Sequence, residues 1–237
     1  MQNASAPAPK SHLETDTLPP TKEGSSPVPS PVHTILWLIR HGEVEVSYQR
    51  VFGGRIDMNL SPLGNQQASS LATFLHRAKL DALYASPMKR VQQTIAPLLA
   101  RGAPQPVILP ELREVDFGDW TGLSWDQVQE RFGVSAYTWL DQLEGDTIRN
   151  AECGRLLRAR IEPCLNRILG EHQGEQVAIF CHGGVIRMIL SILLSLPLPK
   201  TAAFEVDYAS VTRVWHEPDG AEIQLLNFAP WRELGLP

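Results

Sequence analysis

Cysteine is scarce. Cys153, Cys164 and Cys181 are the three in 237 residues, an odd number without paired spacing, which argues against a disulfide framework and against a zinc cage. Cys181 falls inside an apolar run and reads as a small buried hydrophobe. Nowhere does the sequence offer the ~18 consecutive apolar residues that a bilayer span requires. Its richest stretch, Val185 to Leu196, is interrupted by Arg187 and closed by Pro197, and reads as a buried helix. Positive charge is not in excess: 21 Lys and Arg against 26 Asp and Glu leave a net charge of −5. That argues against a general binder of nucleic acid or of anionic membranes, although not against a local cationic crevice. Walker-type loops, a nucleophile elbow and metal-ligand spacings are also missing. Residues 1–31 contain no aromatic residue, two leucines and seven prolines. Such a stretch buries too little apolar surface to offset the entropy of ordering it, so a disordered Pro/Ser-rich tail is expected there, followed by one folded domain over 32–237. The tail lacks the apolar centre of a secretory signal, which makes the cytoplasm the expected location.

The most informative segment is Ile35-Leu36-Trp37-Leu38-Ile39, which ends abruptly in Arg40-His41-Gly42-Glu43. A continuous apolar run of that length reads as a strand buried on both faces, in a sheet covered by helices. Its carboxyl end delivers Arg40 and His41 to the edge where open α/β sheets place their ligand crevices. The pattern returns about 140 residues later as Val177-Ala178-Ile179-Phe180-Cys181 followed by His182-Gly183-Gly184.

Between and around these strands, helical and extended patterns alternate. Ser61-Pro62 is an N-cap followed by a proline at the first helical position, and Leu71, Phe74, Leu75 and Ala78 form the inward stripe behind it. Ala82 to Ala85 and Val107 to Leu109 read as short strands, and Met88 to Leu99 as a helix. Ser124 and Gln127 form a capping box for a helix to about Phe132. A longer helix is expected from about Asn150 to Leu169, kinked or split by Pro163. Residues 203–228 read as two or three β segments, with Pro218-Asp219-Gly220 as a turn. The order predicts an α/β fold, a three-layer α/β/α sandwich with a mostly parallel central sheet.

Charged residues cluster at the strand ends. Arg40-His41 closes the first strand, Ser86 to Arg90 follows the second, Leu112-Arg113-Glu114 follows the third, and His182 closes a later one. On one sheet edge, two arginines, two histidines and one glutamate would meet, a set suited to phosphoryl transfer. Guanidinium groups give charge-assisted hydrogen bonds to phosphate at roughly 1.5–3 kcal/mol each. Imidazole attacks phosphorus near neutral pH, and a protonated carboxyl serves the departing alkoxide. Glu111 and Asp116 compete with Glu114 for the acid role. Trp120, Trp125 and Trp139 are candidates for the pocket mouth or for core packing. His33, His76, His172 and His216 have no comparable setting.

These residues carry a resemblance. Leu38 to Glu43, Asn59 to Gly64 with Gln67-Ala68, Ser86-Pro87 with Arg90, Leu112 to Gly122, and His182-Gly183 together resemble the histidine phosphatase superfamily, over about residues 34–230. That superfamily includes the cofactor-dependent phosphoglycerate mutases. The resemblance implies a phosphoglycerate mutase-like fold and a metal-independent phosphomonoesterase. It implies His41 as the nucleophile that becomes phosphohistidine, and Glu114 as general acid and then base. Arg40, Arg90 and His182 would hold the phosphoryl oxygens. Where the family has an asparagine six residues after the nucleophile this chain has Ser47, carried over as a phosphate contact. Ala151-Glu152-Cys153 replaces Gly-Glu-Ser, so Glu152 is a weaker substrate-site candidate, beside the loop residues Arg50 and Arg55. No metal or organic cofactor is implied. The expected partner is a small phosphorylated metabolite, with no nucleic acid and no membrane, and the oligomeric state is left open, a dimer included. Glu43-Val44-Glu45, Phe117 to Trp120 and Ala229 to Arg232 are similar to the α-ribazole-5′-phosphate phosphatases of cobalamin synthesis. The alternatives are a phosphoglycerate mutase, with Arg50, Arg55 and Arg113 as a second anion site, and a non-catalytic phosphate-binding protein.

Overall fold

The computed structural model describes residues 33–234, so the tail expected over 1–31 lies outside the described residues. Six strands form one sheet: β1 (Thr34–Arg40), β2 (Ala82–Ala85), β3 (Val107–Ile108), β4 (Gln176–Cys181), β5 (Val211–Glu217) and β6 (Gly220–Phe228). Their spatial order is β3-β2-β4-β1-β5-β6. The pairs β3–β2, β2–β4 and β4–β1 are parallel, while β1–β5 and β5–β6 are antiparallel. Among the described residues there are six α-helices, beside short 3-10 helices: α1 (Pro62–Leu75), α2 (Lys89–Leu99), α3 (Trp125–Phe132), α4 (Trp139–Glu144), α5 (Gly154–Glu171) and α6 (Gly183–Leu193).

Strand alternation splits the core in two. Leu36, Leu38, Val177, Ile179 and Cys181 face one side, packed with residues of α5, α6 and the segment between β3 and α5. Trp37, Ile39, Leu83, Ala178 and Phe180 face the other, against α1 and α2. The central strands are therefore apolar on both faces, and the result is the expected three-layer α/β/α sandwich. Each fully buried Leu or Ile contributes about 1.5–3 kcal/mol by leaving water. No helix among the described residues is long and apolar enough to cross a membrane.

Local signals act as expected at several ends. Ser61 Oγ accepts from Gly64 N at the start of α1, and Ser124 with Gln127 forms the full capping box of α3. Two expectations change. Helix α5 begins at Gly154, not Asn150, because residues 149–152 instead pair with the loop before them: Asp119 N donates to Arg149 O and Glu152 N to Asp116 O. Pro163 does not split α5, which runs unbroken from Gly154 to Glu171. Its ring and Ala159, whose carbonyl loses its helical partner, are exposed, while Leu157, Ile161, Leu165 and Ile168 anchor the helix from the opposite face. Residues 203–228 form two strands, with no third one before Val211.

Candidate active site

The register of β1 on β4 pairs Arg40 with Cys181, so His41 and His182 leave adjacent parallel strands at the same level. Their rings meet with centroids 5.2 Å apart. Strand β2 pairs Ala85 with Phe180, which places Ser86 beside the second of these histidines. The carboxyl ends of three neighbouring strands thus supply one floor, and the amino ends of α2 and α6 rise from it. A cavity of about 260 Å³ opens above, bordered by Arg40, His41, Arg90, Glu114, Arg187 and Tyr208.

His41 is buried and its tautomer is fixed from both sides. Nδ1 lies 2.8 Å from the Gly42 carbonyl and Arg90 Nε donates to Nε2 at 3.2 Å. Nδ1 therefore carries the proton and Nε2 keeps its lone pair. Burial, then the Arg90 and Arg40 charges, push the His41 pKa well below the usual histidine range. A neutral imidazole results.

Arg90 is held by more than His41. Its Nη1 donates to Ile56 O at 2.9 Å and its Nη2 to Gly54 O at 3.0 Å. Burial lowers its pKa to about 10, with Glu114 acting in the opposite sense, so it remains cationic at neutral pH. Arg40 donates to Val206 O at 2.6 Å, lies 4.0 Å over the Tyr208 ring, and keeps its buried Nε without a partner.

His182 is fully buried. Ser86 Oγ accepts from Met88 N at 3.4 Å and lies 2.9 Å from His182 Nε2. With the hydroxyl as donor the ring proton sits on Nδ1, which is buried and has no partner among the described residues. Burial, then Arg90, His41 and Arg40, push its pKa well below the usual value. Two buried nitrogens without partners, Arg40 Nε and His182 Nδ1, flank His41. Phosphoryl oxygens would satisfy them.

Glu114 reaches the cavity from the irregular chain after β3. Its Oε1 accepts from Val115 N at 3.0 Å and its Oε2 from Gly184 N at 3.3 Å. The competing carboxylates do not border the cavity: Asp116 pairs with Arg55 at 3.5 Å, and Glu111 lies outside the lining.

The structure brings Arg40, His41, Arg90, Glu114 and His182 together. It does not bring Ser47, Arg50, Arg55 or Glu152 to the cavity. Ser47 is exposed on the loop after β1; exposed Arg50 lies 5.4 Å over the Trp125 ring; Arg55 and Glu152 belong to an ion-pair network with Asp116 and Arg160. Trp125 and Trp139 border the cavity with Tyr48, Phe52 and Phe117, whereas Trp120 packs in the core. Two participants carry no expectation from sequence, Arg187 and Tyr208, and Ser86 belongs to a motif read there without a role of its own. Arg187 does leave a signal, as the lone charge in the apolar run of α6. Tyr208 sits in an irregular segment and leaves none. Among the described residues no group of three or more His, Cys, Asp or Glu is placed to hold a metal ion.

Known proteins share this arrangement of chain. The adenosylcobalamin/α-ribazole phosphatase of Salmonella typhimurium is 29% identical over 199 residues, covering 83% of this chain and 98% of that protein. Phosphoserine phosphatase 1 of Hydrogenobacter thermophilus is 27% identical, over 81% of this chain and 91% of its own length. The crystal structure of the α-ribazole phosphatase from Shigella flexneri superposes with a TM-score of 0.72 at 26% identity, covering 82% of this chain and 96% of that one. The family model for the histidine phosphatase superfamily, branch 1, matches residues 36–229, and the chain belongs to that superfamily.

Proposed function

We propose that the protein is a phosphoric monoester hydrolase that passes its phosphoryl group through His41. The observation that carries this reading is the fixed tautomer of His41: a lone pair on Nε2, at a cavity bordered by Arg40 and Arg90, with the other nitrogen committed to Gly42. Arg90 Nε turns from His41 Nε2 to a phosphoryl oxygen, the freed Nε2 lone pair attacks phosphorus as the ester P–O bond breaks, and Glu114 gives a proton to the departing alkoxide. That proton enters with the monoanionic ester, whose second pKa is about 6. Arg40, Arg90 and the Nδ1–H of His182 take the three phosphoryl oxygens. Glu114 then removes a proton from water, whose oxygen displaces Nε2 and releases orthophosphate. General acid–base work of this kind contributes about 10²–10⁴-fold. Every step is supplied by side chains, so the reading requires no metal or organic cofactor.

The substrate is a small phosphorylated metabolite. The aromatic border of Tyr48, Phe52, Phe117, Trp125 and Trp139 favours a leaving group with a flat apolar part. With the names of the Salmonella and Shigella relatives, this makes α-ribazole 5′-phosphate the first compound to try, and phosphoserine the second. The mutase alternative has less support because Arg55 and Arg113 border a separate cavity with Asp57, Pro87 and Met88, and Arg50 lies over Trp125, so none of the three borders the cavity above His41. A purely binding role leaves the committed tautomer of His41 without use.

The test is orthophosphate release from a panel of esters in the presence of a chelator. The panel holds α-ribazole 5′-phosphate, phosphoserine, 3-phosphoglycerate and p-nitrophenyl phosphate, each with wild type and His41→Ala. Release by wild type and a loss of at least about 10³-fold in the variant are expected, the scale seen when nucleophiles are removed. Equal rates in both proteins would reject the assignment.

A further inference from the structure

Glu152 and Arg160 lie outside the cavity, yet they grip the chain that carries Glu114. Arg160 Nε donates to Glu152 Oε1 at 2.6 Å and Nη2 to Oε2 at 2.9 Å, a two-pronged pair. The pair is largely shielded, with 9% of the Glu152 side chain and 18% of that of Arg160 exposed. The same guanidinium donates to the Glu111 carbonyl and to the Glu114 carbonyl, the latter at 3.4 Å. Glu152 holds the far end of the segment: its N donates to Asp116 O at 2.9 Å, and its Oε2 accepts from Asp116 N at 3.5 Å.

Residues 113–117 belong to no helix or strand, so no backbone ladder fixes where Glu114 starts. The carbonyls of Glu111 and Glu114 and both polar groups of Asp116 are instead tied to one ion pair at the start of α5. Arg55 extends the tie. It reaches Asp116 at 3.5 Å and Glu152 at 3.9 Å, and it stands between Gly54 and Ile56, whose carbonyls hold Arg90. One polar network therefore joins the chain bearing the carboxyl to the loop bearing the phosphate-binding arginine.

We infer that Glu152 and Arg160 are positioning residues, which set the reach of the Glu114 carboxyl toward the leaving oxygen. The inference rests on the acid role proposed above. Neither residue touches the substrate. Loosening them lets Glu114 drift while His41, Arg40 and His182, held by β1 and β4, stay in place. The consequence is selective: a poor leaving group needs the proton, whereas p-nitrophenolate departs without it.

The experiment compares kcat/KM for p-nitrophenyl phosphate and for an alkyl phosphate, because that quantity reports the phosphorylation step. It uses the full chain as wild type, Glu114→Gln, Glu152→Gln, Arg160→Lys and the double variant Glu114→Gln/Glu152→Gln. The aryl-to-alkyl ratio is expected to rise with Glu114→Gln. It is expected to rise about tenfold with Glu152→Gln, the lower end of what supporting hydrogen-bond partners contribute. Arg160→Lys keeps the charge but not the fork and raises the ratio less. In the double variant the ratio matches that of Glu114→Gln alone, since there is no acid left to position. Orthovanadate affinity stays within about threefold in Glu152→Gln and Arg160→Lys, because Arg40, His41 and His182 are held by β1 and β4; a larger loss in either rejects a role confined to Glu114. Should Glu152→Gln not fold, Arg160→Lys carries the same comparison. An unchanged ratio in Glu114→Gln rejects the acid role and this inference with it. A raised ratio there, with equal losses on both esters in Glu152→Gln and Arg160→Lys, rejects the positioning role alone.

Discussion

Gly184 is required by contact. A Cβ at this position would lie 2.6 Å from Glu114 Oε1 and 2.7 Å from Val115 Cγ2. Val115 is fully buried and has nowhere to retreat, so the carboxyl must swing away, breaking its bond from the Gly184 amide. A 1 Å displacement of a catalytic group costs as much as about 10²-fold. Gly184→Ala is therefore expected to lower kcat/KM on an alkyl phosphate by at least about tenfold while the protein remains folded, which circular dichroism and initial rates will check together. Gly183 supplies the contrast. Its added Cβ would lie 3.7 Å from Arg40 Nε, an ordinary van der Waals distance. Gly183→Ala is the milder of the two, and the reverse order would contradict the placement of Glu114.

At the scale of the element, α1 serves as a wall for the chain after His41. Ser61 N donates to Glu43 O, Ser61 Oγ to Glu43 Oε1, and Glu43 N to Gln67 Oε1. Backbone meets backbone there: a Cβ on Gly64 would lie 2.0 Å from Glu43 O, and one on Gly42 would lie 2.7 Å from Gly64 O. Gly64→Ala is expected to destabilise by about 2 kcal/mol or more, since neither partner is a flexible side chain. Urea denaturation will measure it; a change under about 0.5 kcal/mol would mean that α1 slides freely on the loop. The start of α1 can be read from sequence because Ser61-Pro62 acts locally, and so can the capping box of α3. The start of α5 cannot, because residues 149–152 are claimed by the loop at 116–119. Helix α4 has six residues, too few for a periodic stripe to stand out. The same division governs the site. Arg40, His41 and His182 follow apolar strands, and Arg90 opens a helix, so pattern alone places them at one edge. Ser47 lies in a single 3-10 turn and Arg50, Arg55 and Glu152 on irregular chain, where nothing in the spacing of residues says which way a side chain turns. Tyr208 is hidden from sequence for the same reason.

The molecule as a whole carries the consequence of burying two neutral histidines among arginines. His41 and His182 hold pKa values well below 6.5, through burial first and then the neighbouring guanidinium charges. In the unfolded chain both titrate near 6.5. Above that pH both states are neutral at these positions, and their contribution does not change with pH. As the pH falls below 6.5 the unfolded chain takes up protons that the folded protein refuses, and stability is lost. The slope is about 1.4 kcal/mol per pH unit for each proton withheld. Between pH 6.5 and 5, above the carboxylate range, the two sites together therefore approach about 2.7 kcal/mol per unit. Unfolding free energies from urea titrations at pH 7.5, 6.5, 5.75 and 5 should show a plateau and then this decline. His182→Asn has no group to protonate there, so it should keep the plateau and lose about 1.4 kcal/mol per pH unit of a slope to which His216, its pKa lowered by burial, also contributes, whatever its stability at pH 7.5. An identical slope in that variant would show that His182 charges in the folded protein. The neutral-imidazole chemistry assigned to this pair of strand ends would then have to be abandoned.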